Sequence, residues 1–159
     1  VNLTWVLLIV LLVAVIGVYT SWTAGRLDRL HARVDAAWAG LDAALVRRAA
    51  AAQALVPLLP DGPARDRLAT ASGAAVRGGP VDRQQVENDL TAALRGALPQ
   101  LGATPELDEA VTRAGFARSF HNSAVADTLS LRRHRYPRAL HLAGHRALPQ
   151  HFDMDESLS

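Results

Sequence analysis

The sequence predicts an all-α protein: an N-terminal transmembrane helix followed by an antiparallel up-and-down bundle of about four helices. Three observations carry this expectation. An uncharged run covers Leu3 to Trp22. Beyond it, apolar residues recur at spacings of three and four. Ala and Leu dominate, whereas aromatic residues make up only 5% of the chain, a mix that suits helices better than strands.

The run LTWVLLIVLLVAVIGVYTSW contains no charge. About 20 helical residues span roughly 30 Å, the thickness of a bilayer's hydrocarbon core. Trp5 lies near one end, with Tyr19 and Trp22 near the other, as in an interfacial aromatic belt. A cleaved signal peptide would need a positive start, a shorter apolar core and a small-x-small cleavage site; TSWTAG is a poor one. The chain opens on Val1, which points to an alternative start codon or a trimmed sequence. Arg26, Arg29 and Arg33 follow the apolar run, and no Arg precedes it. The positive-inside rule therefore puts the N-terminus outside and the helical domain in the cytoplasm.

The expected organisation is an anchor over residues 1–24, a helical bundle over 25–136 and a partly irregular tail over 137–159. The first amphipathic stripe is Leu27, Leu30, Val34, Trp38, Leu41, Leu45, Ala49, Ala52, Leu55 and Leu59, with Arg26, Asp28, Arg33, Asp35, Arg47 and Arg48 off it. Such a helix must bury its stripe against partner helices, and it can continue directly from the anchor. Pro57 bends its last turn and Pro60-Asp61-Gly62-Pro63 ends it.

A second helix is expected over 64–77, with Leu68, Ala71, Ala75 and Val76 inward. A third starts at Asp82 as N-cap, with Gln85 completing an approximate capping box. Val86, Leu90, Ala93, Leu94 and Ala97 form its apolar face, and Pro99 closes it. Thr104-Pro105 caps a fourth helix running to about His134. Its stripe is Leu107, Val111, Ala114, Ala117, Phe120, Ala124 and Leu131, and Tyr136-Pro137 ends it.

Composition excludes several functions. With no cysteine, disulfides and thiolate metal sites are absent. Every cation is Arg, a pattern that GC-rich coding produces. The net charge of +2 is too even to imply nucleic-acid binding. No serine sits in a G-x-S-x-G elbow, and the Gly-rich stretches lack a phosphate-loop Lys.

Two clusters merit weighing. His134, His141, His145 and His151 lie near Asp153 and Asp155, and His141 and His145 share one face of any helix there. That spacing suits a metal-dependent membrane hydrolase. However, no HExxH motif occurs and Gly144 weakens the helix. Solvated or interfacial histidines are the simpler reading. Arg132, Arg133, Arg135 and Arg138, with Tyr136, suit anionic lipid headgroups, or else a solvated helix end. On the first helix, Trp38 reads as a core residue. Asp42 is expected to pair with Arg118 or Arg47, and Asn122 to bond across the bundle.

Two segments resemble the LemA family of bacterial membrane proteins. One is RVDAAWAGLDAALVRR, Arg33 to Arg48, where Trp38, Asp42, Leu45, Arg47 and Arg48 fall in register with an Ala-Trp, aliphatic-Asp, Leu and paired-basic pattern. The other is ARSFHNSAVAD, Ala117 to Asp127, followed by Tyr136-Pro137. Together they cover about a fifth of the chain, and the uncharged anchor before the first of them is also similar to that family. Departures are Ala50, Gln53 and Ala54 at polar and Pro positions, His121 for a usual Tyr, and Leu129 where a second Asn is common. The resemblance implies a four-helix up-and-down bundle, a small extracytoplasmic N-terminus, a cytoplasmic helical domain and an envelope role; it implies no agreed enzymatic activity, since the family's biochemical role is not established.

The functional expectation is accordingly a membrane-anchored, non-enzymatic interaction or scaffold module. It has no catalytic, cofactor or metal residues. Its partners are membrane lipid, through Leu3 to Trp22, and a protein or a second copy of itself. The alternatives are the metal-dependent hydrolase and the anionic-lipid-binding surface.

Overall fold

Proline and glycine set most of the helix boundaries. The computed structural model describes residues 2–78, 82–102, 104–133 and 148–155. Among these, the regular elements are helical. Helix α1 covers Leu3–Leu55 and passes into a 3-10 turn over Val56–Leu58, with Pro57 inside it. Helix α2 covers Pro63–Arg77, α3 Arg83–Leu101 and α4 Pro105–Arg133. The apolar run and the first amphipathic stripe form one unbroken helix of 53 residues. Among the described residues, it holds the one helical stretch long and apolar enough to cross a membrane.

Pro63 takes the first position of α2, where its missing N–H costs nothing. Thr104 Oγ1 accepts a hydrogen bond from Leu107 N at 3.3 Å, so the cap expected for α4 forms. The capping box expected for α3 does not form. Asp82 has left-handed backbone angles and makes no side-chain cap bond, and Gln85 Nε2 donates instead to Asp89 Oδ1. Pro99 does not close α3 either. The helix continues to Leu101, because Gly102 N donates to Leu98 O at 2.7 Å and Gly102 turns the chain at φ 76°.

The described residues fall into two compact units, 2–35 with the described part of 124–150, and 36–123 with 151–155. In the first, Leu3 to Trp22 of α1 present apolar side chains to the outside on every face. The Arg26 guanidinium lies 5.8 Å from the Trp22 ring centroid, at the end of that run. Thr23, His31 and Val34 are buried, as are Ala124, Val125 and Thr128 of α4. Arg33 Nη1 meets Asp127 Oδ2 at 3.1 Å in an exposed pair.

The second unit holds the core. Ala49, Ala52 and Leu55 pack with Leu68 and Ala75 of α2, and with Leu90, Leu94 and Ala97 of α3. Leu107 at the start of α4 completes this cluster. A second cluster joins Leu41, Ala44 and Leu45 to Ala114, Phe152 and Met154. The stripe expected on α1 is the buried one from Val34 to Leu59, with Trp38 half-buried.

On α4 one expectation fails: Phe120 is 71% exposed, and His121 is buried in its place. Helical geometry gives the reason. At about 100° per residue, the seventh position after Ala114 returns to the same face within about 20°, whereas the sixth lies far round it.

Candidate functional site

The most unusual feature of the second unit is a set of charges where apolar residues are expected. On α1, Arg48 falls on the stripe between Leu45 and Ala52, not off it, and is buried. On α3, Arg83 and Glu87 stand at spacings of four and three ahead of Leu90 and Leu94, on the same buried face. Two helices thus face each other with a buried cation and a buried anion.

Arg48 Nη1 donates to Glu87 Oε2 at 3.0 Å, and Arg48 Nη2 donates to Thr91 Oγ1 at 2.5 Å. Arg83 Nη2 lies 3.3 Å from Glu87 Oε1 and 3.4 Å from Asp42 Oδ1. Arg83 Nη1 donates to the Ala75 carbonyl at 3.0 Å, satisfying an acceptor in the last turn of α2. The network therefore joins α1, α2 and α3. Burial raises the Glu87 carboxyl above the ordinary glutamate value; the charges of Arg48 and Arg83 and the Arg48 hydrogen bond oppose that rise. Glu87 and Arg48 expose essentially no surface to a substrate, so their geometry serves to hold three helices in register.

Asp42 finds its partner in Arg83 of α3, not in Arg47 or Arg118. Arg47 is exposed. The sequence did carry a signal for this network: charged residues at spacings of three and four inside an apolar stripe are buried and need partners.

Beside the network runs the C-terminal segment 151–155. His151, Asp153 and Asp155 are exposed, whereas Phe152 and Met154 are buried. Asn122 bonds this segment rather than a neighbouring helix. Its Nδ2 donates to Phe152 O at 3.0 Å, and Phe152 N donates to its Oδ1 at 2.8 Å. Asp155 N donates to Asn88 Oδ1 at 2.9 Å, and Arg95 Nη2 meets Asp155 Oδ2 at 2.6 Å. The Thr91 hydroxyl lies 2.9 Å from the Asp155 carbonyl and 3.0 Å from the Glu87 carbonyl, both within reach of its one proton. Trp38 sits edge-on to His121 at 5.4 Å and to Phe152 at 5.7 Å between ring centroids.

Of the histidines weighed for a metal, His134, His141 and His145 lie outside the described residues. The described residues contain no group of three or more metal-binding side chains. Arg135, Tyr136 and Arg138 also lie outside them, as do the side chains of Arg132 and Arg133. Compared with known proteins, the chain matches no family model, no curated protein and no solved structure.

Proposed function

We propose that this protein is a membrane-anchored, non-enzymatic interaction module: an N-terminal transmembrane helix carrying an up-and-down helical bundle of LemA-like type. The observation that supports the anchor most directly is that Leu3 to Trp22 is helical and, among the described residues, its side chains are left uncovered. In water such a helix exposes apolar surface on all sides; a bilayer removes that cost. Retention rather than cleavage is supported by the helix itself, which runs without a break through Thr20 to Arg26.

Two contacts support the bundle topology. Trp38, earlier in α1, meets His121, later in α4, while Ala52, near the end of α1, shares one core cluster with Leu107, at the start of α4. The LemA-like reading draws support from the packing of Trp38 on His121, because each belongs to one of the two resembling segments.

The absence of cysteine gives a clean test of placement. Single cysteines at Asn2 and Ser123 are exposed to an impermeant maleimide in intact cells and in inside-out vesicles. With N-out, C-in topology, Asn2→Cys labels in cells and Ser123→Cys only in vesicles. The reverse pattern overturns the orientation, and release of the chain by alkaline carbonate overturns the anchor.

A further inference from the structure

The segment 151–155 is held in the manner of a bound peptide. Its side chains alternate outward and inward, as in an extended chain. The surface that receives it is built for main chain. Gln84, Asn88, Thr91 and Arg95 stand at spacings of four, three and four, so they line one face of α3. Gln84 Nε2 donates to the His151 carbonyl at 3.2 Å; Asn88 and Thr91 contact the Asp155 main chain. From α4, Asn122 both donates to and accepts from the Phe152 main chain. A carboxamide pairing with both groups of one residue mimics the neighbouring strand of a sheet, a mode that reads any extended backbone.

Specificity comes from three places. Phe152 and Met154 enter the cluster of Leu41, Leu45 and Ala114, beside Trp38. Arg95 pairs with the carboxylate of Asp155. The groove thus selects aromatic, any residue, unbranched apolar, acidic: Phe152-Asp153-Met154-Asp155.

We propose that this groove is a peptide-recognition site for an extended partner segment of that pattern, and that the chain's own C-terminal segment is its resident competitor. The partner is a protein with an accessible, unstructured stretch carrying an aromatic residue two positions before Met and three before Asp or Glu. This deepens the interaction-module reading and rests on it. The groove test below is run on soluble peptide and needs no membrane, so its failure is distinguishable from failure of the anchor.

The probe is a fluorescent peptide of residues 148–155, LPQHFDMD, titrated against the full-length chain in mild detergent. In the Phe152→Ala, Met154→Ala double variant the groove is vacated, and the peptide is expected to bind at least tenfold more tightly than to wild type. Adding Asn122→Ala or Arg95→Ala to that background is expected to weaken binding at least fivefold. Equal binding to wild type and double variant, or binding indifferent to Asn122 and Arg95, overturns the proposal. Should the double variant lose its helical circular dichroism, a chain with a protease site inserted after Leu148 decides. It folds with its own tail and is then cut. Replacement of the cut tail by excess peptide supports the proposal, and a tail that the peptide cannot displace at hundredfold excess overturns it.

Discussion

Arg48 and Glu87 form an ion pair at 3.0 Å with side chains 1% and 0% exposed, joining α1 to α3 beside a largely apolar core. A buried pair of this kind is worth little against a hydrophobic replacement, but breaking it strands a charge. Arg48→Ala leaves Glu87 with Arg83 alone and is expected to cost about 3–5 kcal/mol of folding stability. Arg48→Lys is expected to recover less than half of that. An ammonium is a point donor, whereas the guanidinium reaches Glu87 and Thr91 with separate N–H groups. Urea denaturation followed by helical circular dichroism measures both.

Glu87 also gives the fold a pH dependence of a defined sign. Burial raises its carboxyl in the folded state, so the folded chain binds a proton more readily than the unfolded chain. The stability this contributes is fully present below the unfolded value, about 4.3. It is lost as pH rises through the higher folded value. Wild type measured against Glu87→Gln, which cannot titrate, should therefore lose relative stability as pH increases across that window, then level off. A relative stability that grows with pH would contradict this assignment.

How much of this was legible beforehand depends on the residue. The long apolar N-terminal helix, the α1 stripe from Val34 to Leu59 and the Thr104 cap were readable, because periodicity and capping are local. The capping role expected of Asp82 failed: its backbone is left-handed, not extended as an N-cap requires, and its side chain makes no cap bond. Phe120 was misread because hydrophobicity alone named the face, whereas the phase of the helix puts His121 inward. Partners of Arg48, Asp42 and Asn122 were not legible at all. They lie 39, 41 and 30 residues away along the chain, and only the packed fold brings them together.

Gly78 ends α2 with φ 62° and ψ −170°, a region that side-chain-bearing residues hardly visit. A Cβ there would also stand 3.1 Å from Arg83 Nη1, the atom that donates to the Ala75 carbonyl. Gly78→Ala is expected to destabilise by about 1–3 kcal/mol from backbone strain. Because Arg83→Ala removes the guanidinium that the new Cβ meets, the part of the cost that this contact adds should vanish in that background. A thermal-unfolding cycle over the two substitutions reads that coupling; strict additivity would place the whole cost in the backbone.

Trp38 and Phe152 meet edge-to-face at 5.7 Å with ring planes 61° apart, one of the contacts through which the C-terminal segment touches α1. Aromatic pairs of this geometry are worth about 0.5–1.5 kcal/mol beyond the area they bury. A double-mutant cycle on Trp38→Ala and Phe152→Ala should show a coupling of that size. Phe120, an aromatic residue on the same helix as His121 but turned outward, is the control. Phe120→Ala is expected to change stability by no more than about 0.5 kcal/mol and to show no coupling to Phe152. Hydrogen exchange at Leu41 and Leu45 separates the two sites further. Phe152→Ala should speed exchange there, since Phe152 packs in their cluster, and Phe120→Ala should leave it unchanged. If the two substitutions behaved alike, the C-terminal segment would contribute nothing to the α1 core.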